Sequence, residues 1–185
     1  MTDYELKLAI REAAYLEGDF MLRSGRRSHY YLDKYRFETR PDLLAALAER
    51  LAAAVAALAP HAHRLACPEL GAVALGAATS LASGLPFVIV RSAAKEYGTA
   101  NRIEGAYEAG ETVCLLEDIV TSGGALLDTV QALRAAGLAV RAAVCVVDRE
   151  EGGREALARE AVALRPIFRA HELVEAVKIP AKPHG

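Results

Sequence analysis

The feature that most constrains this chain is the stretch 113–137, VCLLEDIVTSGGALLDTVQALRAAG. Residues 113–116 are an apolar run that reads as a buried strand. Residues 125–136 have helical spacing and are closed by Gly137. Between them stand two adjacent acids, Glu117 and Asp118, then Ile119, Val120 and the polar turn Thr121, Ser122, Gly123, Gly124. A buried strand feeding a helix through so short a turn belongs to a parallel sheet, because parallel neighbours need a crossover to bring the chain back.

The same unit recurs along the chain. Residues 64–67, 86–91 and 140–147 read as further strands, and a helix following Pro68 and Gly71 reaches about residue 83. Pro41 opens a long Ala/Leu helix to about residue 58, proline being tolerated in a first turn. Residues 150–164 are charged and Ala-rich and predict another helix, and 167–177 a last strand and helix. Residues 92–110 show neither period. At the N-terminus, 3–17 predicts a helix ended by Gly18, and 20–37, FMLRSGRRSHYYLDKYRF, a hairpin around a Ser-Gly turn. Short apolar strands alternating with helices imply an α/β chain with a mainly parallel, twisted sheet flanked by helices. At 185 residues this is one domain, 1–185, with a hood over about 1–40 and a core over about 41–170.

Composition removes several classes of function. With net charge −2 and pI near 6.2, no global basic field recruits nucleic acid. The longest apolar tract, 43–59, is broken by Glu49 and Arg50, so no membrane span is expected, and the N-terminus lacks the apolar stretch of a signal peptide. A cytoplasmic protein is the expectation. The three cysteines, Cys67, Cys114 and Cys145, have no C-x-x-C spacing and two lie in apolar runs, which predicts buried thiols. His61 and His63 lack a third ligand nearby and read as a solvated loop. The pair Arg26-Arg27 reads as a surface face, with phosphate contact as the alternative.

In an open α/β sheet, ligands bind at the carboxyl ends of the strands. There, Gly123 and Gly124 let successive N–H groups converge, the following helix adds its positive end, and the Thr121 and Ser122 hydroxyls supply further donors. The turn suits a phosphate monoester. It is neither G-x-x-x-x-G-K-[ST] nor G-x-G-x-x-G. Glu117 and Asp118 would repel a phosphate they faced, so their targets are hydroxyls, or a hydroxyl-bound cation, a ribose-width away. A sugar phosphate satisfies both halves.

VCLLEDIVTSGGA resembles the phosphoribosyl-diphosphate motif of the type I phosphoribosyltransferases. Three more stretches resemble the orotate phosphoribosyltransferase branch of that family: 20–37, CPELGAVALGAATSLA with the loop VRSAAKEYGTANRIEG, and VVDREEGG, together covering about 20–153. The resemblance implies a type I phosphoribosyltransferase fold and transfer of phosphoribosyl to orotate, a step of UMP biosynthesis. It assigns Arg91, Lys95 and Tyr97 to diphosphate, Glu117 and Asp118 to ribose, and the run Ile119, Val120, Thr121, Ser122, Gly123, Gly124, Ala125 to the 5′-phosphate side. Arg23, Tyr31, Thr121 and Arg149 surround orotate in it, and Lys95 joins the two acids as catalytic. It further implies Mg²⁺ held through substrate rather than by direct protein ligands, and a homodimer in which loop 91–105 acts across the interface. Four positions depart from the commonest pattern: Ser92 for a basic residue, Arg23 for lysine, Glu117 for aspartate, and Gly71 where some members carry lysine. Other readings are transfer to a purine or uracil, and a sugar-phosphate sensor that binds nucleic acid.

Overall fold

The computed structural model describes residues 1–21, 25, 27–93 and 101–176. Its core is a six-stranded sheet in the order β5-β4-β3-β6-β7-β8, built from β3 Arg64–Pro68, β4 Phe87–Val90, β5 Ile103–Glu104, β6 Thr112–Val120, β7 Ala139–Asp148 and β8 Ala163–Arg169. All pairings are parallel except β4 with the two-residue edge strand β5. The chain first moves outward from β3 to β4 and then returns past β3 to β6. This reversal opens a crevice between the carboxyl ends of β3 and β6, where such sheets bind ligands.

Helices cover both faces. α1 Asp3–Ala14, α3 Pro41–Leu58, α4 Gly71–Ser83 and α7 Ala170–Val174 pack on one side, with Leu6, Ile10, Leu43, Leu47, Leu75 and Leu173 fully buried. On the other side α5 Gly124–Ala135 and α6 Gly153–Arg159 bury Leu126, Val130, Leu133 and Leu157. Each such side chain contributes roughly 1.5–3 kcal/mol of transfer free energy. Gly76 lets α4 approach closely, since a Cβ there would come within 2.1 Å of Cys67 Sγ. Cys67, Cys114 and Cys145 are free and buried, as expected, and burial pushes the Cys114 thiol up to about 12.

The N-terminal hood is an antiparallel hairpin, β1 Tyr15–Met21 with β2 Arg27–Leu32, followed by the short helix α2 Tyr35–Glu38. Here the expected helix 3–17 is corrected. It stops at Ala14, because Tyr15, Leu16 and Glu17 pair with Leu32, Tyr31 and Tyr30, and the sheet bonds outweigh a helical pattern three residues longer. The expected helix 150–164 is corrected too. It spans only Gly153–Arg159, Ala161 turns with φ +56°, and Ala163 onward joins β8 beside β7. The strand expected over 113–116 runs to Val120, so both acids lie within it.

Candidate active site

Strand β6 alternates its side chains between the two cores. Cys114 and Leu116 face the α3/α4 side, while Val113 and Leu115 face the α5 side. The alternation does not continue through the acids: Ile119 packs with the Cys114 and Leu116 core and Val120 with the Leu115 core, and the Glu117 and Asp118 carboxyls stay close enough to interact. Glu117 lines a cavity of about 330 Å³ whose other walls include Ile119, Val120, Thr121, Ser122, Gly123, Gly124 and Ala125. Asp118 is buried, with its Oδ2 accepting from Lys34 Nζ at 2.5 Å and its Oδ1 accepting the Ile119 amide.

The phosphate-type turn has the backbone its glycines allow. Gly123 takes φ +82° as the N-cap of α5, and Leu127 N donates to Gly123 O at 2.9 Å to start the helix. The α5 N-terminus therefore points its free amides into the cavity. Gly153, which opens α6, presses on this turn from behind: a Cβ at 153 would stand 2.5 Å from the Thr121 carbonyl and 3.2 Å from Gly123 N.

The two acids titrate in a crowded field. Part of Glu117 reaches the cavity, yet burial of its carboxyl, and then the neighbouring Asp118 charge, push its pKa well up. Its Oε1 accepts the Asp118 amide at 3.0 Å. Glu38, from α2, is 2% exposed and is raised to about 8 by burial and by Asp118.

On the β4 side, Arg91 lies with its Nε 3.7 Å from Glu69 Oε2 and its Nη1 3.9 Å from Glu104. Ser92 donates to Glu69 Oε1 through both its amide, at 2.9 Å, and its hydroxyl, at 2.8 Å. These bonds, the backbone one foremost, hold the Glu69 carboxyl below its ordinary range. Glu69 thus organises the position where the sequence pattern departs from a basic residue. The loop that follows is anchored at its base: Arg91 N donates to Arg102 O at 2.7 Å, and Arg102 binds Asp128 on α5, with Nη2 2.5 Å from Oδ2. Lys95, Tyr97 and Arg23 lie outside the described residues.

On the hood side, the Arg149 guanidinium sits 5.1 Å over the Tyr30 ring, and Tyr30 stacks on Tyr15 at 5.4 Å. Glu151 Oε1 is 2.9 Å from Arg149 Nε but out of line for a hydrogen bond. Tyr31 points the other way: it is 42% exposed and packs against Phe20. The structure therefore brings Tyr30, not Tyr31, against Arg149. Sequence reasoning also missed Lys34, Glu38, Glu69 and Gly153. Only the spacing of Lys34 and Glu38, one helical turn apart, could have pointed to two of them.

A sheet crevice with a phosphate-type turn, a lining carboxylate and cations to either side is the arrangement of a sugar-phosphate transferase. A family model for the phosphoribosyl transferase domain matches residues 40–175. The chain is 49% identical to an orotate phosphoribosyltransferase of Methanocella arvoryzae over 85% of this chain and 88% of the relative. It is 48% identical to that of Halobacterium salinarum, over 93% and 97%. The crystal structure of the Mycobacterium tuberculosis orotate phosphoribosyltransferase in complex with 5-phospho-alpha-D-ribosyl 1-diphosphate superposes with a TM-score of 0.77, at 29% identity over 93% of this chain and 98% of that one. This chain belongs to the phosphoribosyltransferase family and, within it, to the orotate phosphoribosyltransferases.

Proposed function

We propose that the protein transfers 5-phosphoribosyl from 5-phosphoribosyl 1-diphosphate to orotate, giving orotidine 5′-monophosphate and diphosphate in pyrimidine biosynthesis. The observation that carries this reading is the cavity shared by Glu117 and the Thr121–Ala125 turn, an anion cradle beside a hydroxyl acceptor. The 5′-phosphate docks on the turn's amides, the Thr121 and Ser122 hydroxyls and the α5 N-terminus. Glu117 and Asp118 accept the ribose hydroxyls.

In the reaction the bond from ribose C1 to the diphosphate oxygen breaks and a bond from C1 to an orotate ring nitrogen forms. The sugar becomes electron-poor while charge grows on the departing diphosphate. Arg91, with Lys95 and Tyr97 of the following loop, stabilises that charge, and preorganised electrostatics of this kind is usually the largest catalytic contribution. Arg149, seated over the Tyr30 ring, presents a planar donor fork to orotate's carboxylate, joined by Arg23 and Thr121. Mg²⁺ would be held mainly through the sugar diphosphate, and the hard-oxygen acids Glu117 and Asp118 at the strand end would suit its presence beside them. Such an ion supplies charge neutralisation on the diphosphate oxygens.

The assembly we propose is a homodimer in which loop 91–105 serves the neighbouring subunit's site, working in the cytoplasm. The test is a panel of bases incubated with the sugar diphosphate and Mg²⁺. Orotate absorbance should fall while adenine, hypoxanthine and uracil stay unchanged; turnover of one of those in place of orotate would overturn the assignment.

A further inference from the structure

Lys34 lies at the N-terminal boundary of α2, inside the 20–37 stretch but with no role assigned there, and its ammonium reaches Asp118. Beneath the pair is Gly71, the first residue of α4. A Cβ on Gly71 would stand 1.7 Å from Asp118 Oδ2 and 2.6 Å from Lys34 Nζ, so any side chain at 71 would take the space the pair occupies. Asp118 is thereby gripped at both oxygens, Oδ2 by Lys34 and Oδ1 by the Ile119 amide. A carboxylate has about four lone-pair sites, so two remain, in one fixed orientation, for incoming hydroxyls.

The surroundings explain why a cation is required. Three acids crowd the ammonium: Asp118, Glu117 and Glu38. Glu38 is buried with its Oε1 lacking a hydrogen-bond partner among the described residues. Burial alone would lower the Lys34 pKa, and the acids more than offset it. Without the ammonium nothing would hold Oδ2 of this buried carboxylate, and the group would be free to turn from the position it shares with the Ile119 amide.

We propose that Lys34 is a positioning residue for the sugar diphosphate, acting through Asp118: seated over Gly71, it holds the Asp118 carboxylate in the orientation that accepts ribose hydroxyls. The glycine at 71 and the lysine at 34 form one device, in which the core loop gives up its side chain so that the hood can supply the cation. This deepens the sugar-phosphate reading and rests on it.

The test is calorimetric titration of 5-phosphoribosyl 1-diphosphate with Mg²⁺, no base present, into wild type, Lys34→Met, Gly71→Ala and the double variant. Gly71→Ala keeps both charges and displaces them sterically, so it serves if Lys34→Met folds poorly. Each single variant should weaken binding about tenfold or more, and the double should be no weaker than the worse single, since both act on one pair. In steady state the KM for the sugar diphosphate should rise while that for orotate stays within about twofold. Unchanged binding in the singles, additive losses in the double, or equal rises in both KM values would overturn the proposal. Failure of wild type to consume orotate would instead sink the reaction assignment and leave the sugar-binding comparison readable.

Discussion

Gly153 and Thr121 meet backbone to backbone: a Cβ on Gly153 would lie 2.5 Å from the Thr121 carbonyl oxygen and 2.5 Å from Val120 Cγ1. The phosphate-type turn is therefore shaped from outside its own sequence, by the start of α6. Gly153→Ala forces the turn or the helix to move. It should cost about 1–3 kcal/mol of stability, the usual range for overpacking, and raise the KM for the sugar diphosphate. Thermal melting and initial rates measure both, and an unchanged KM would show that the turn does not depend on this contact.

Glu38 makes stability depend on pH. Its carboxyl rises from an ordinary 4.5 to about 8 in the folded protein. The folded state keeps this proton where the unfolded chain has lost it, so stability falls as pH rises from about 4.5 and levels off above about 8. Glu38→Gln removes the penalty. The variant should match wild type near pH 4.5 and exceed it by about 1–3 kcal/mol at pH 8.5, well under the ceiling a full shift implies because the site can relax. Parallel melting curves of the two proteins across that window would contradict the assignment.

Arg149 is the specificity prediction. Lysine keeps the charge but loses the planar fork that sits over the Tyr30 ring. Arg149→Lys should raise the KM for orotate about tenfold to a hundredfold, the scale of a charged hydrogen bond, with the KM for the sugar diphosphate nearly unmoved. A rise confined to the sugar substrate would place Arg149 elsewhere in the site.

The proposed dimer can be tested by complementation. Lys95→Ala alone should lower turnover about a hundredfold or more, as should Glu117→Gln, by loss of preorganised charge. Mixed after subunit exchange, the two should recover about a quarter of wild-type activity, because each heterodimer rebuilds one intact site when the loop acts across a two-fold interface. Exchange verified by mass, without recovery, would mean that the loop serves its own subunit.

Much of the architecture was legible. The strand-turn-helix at 113–137 specified a parallel sheet, and its two glycines specified the turn that starts a helix at the carboxyl edge, as found. The helix 3–17 and the helix 150–164 were misjudged at their ends, where pairing with β2 and with β7 competes with local periodicity. At the site, Thr121–Ala125 and Glu117 were readable because the chemistry is contiguous. Tyr30 and Tyr31 were not separable by sequence, since adjacent strand residues differ only in which face the fold buries.

What the sequence determined by itself was the local chemistry: an apolar strand, two acids and a glycine turn that caps a helix, all set by side-chain period and backbone freedom. Only the tertiary structure decided how that chemistry is divided. Packing puts Glu117 on the cavity wall and gives its neighbour Asp118 a lysine 84 residues distant in the chain. That lysine fits because Gly71 leaves no side chain in its way, and the glycine's meaning appears only when α2, α4 and β6 meet. Spacing along a chain carries information over a turn or two; a charge balance among three elements exists only once they are packed.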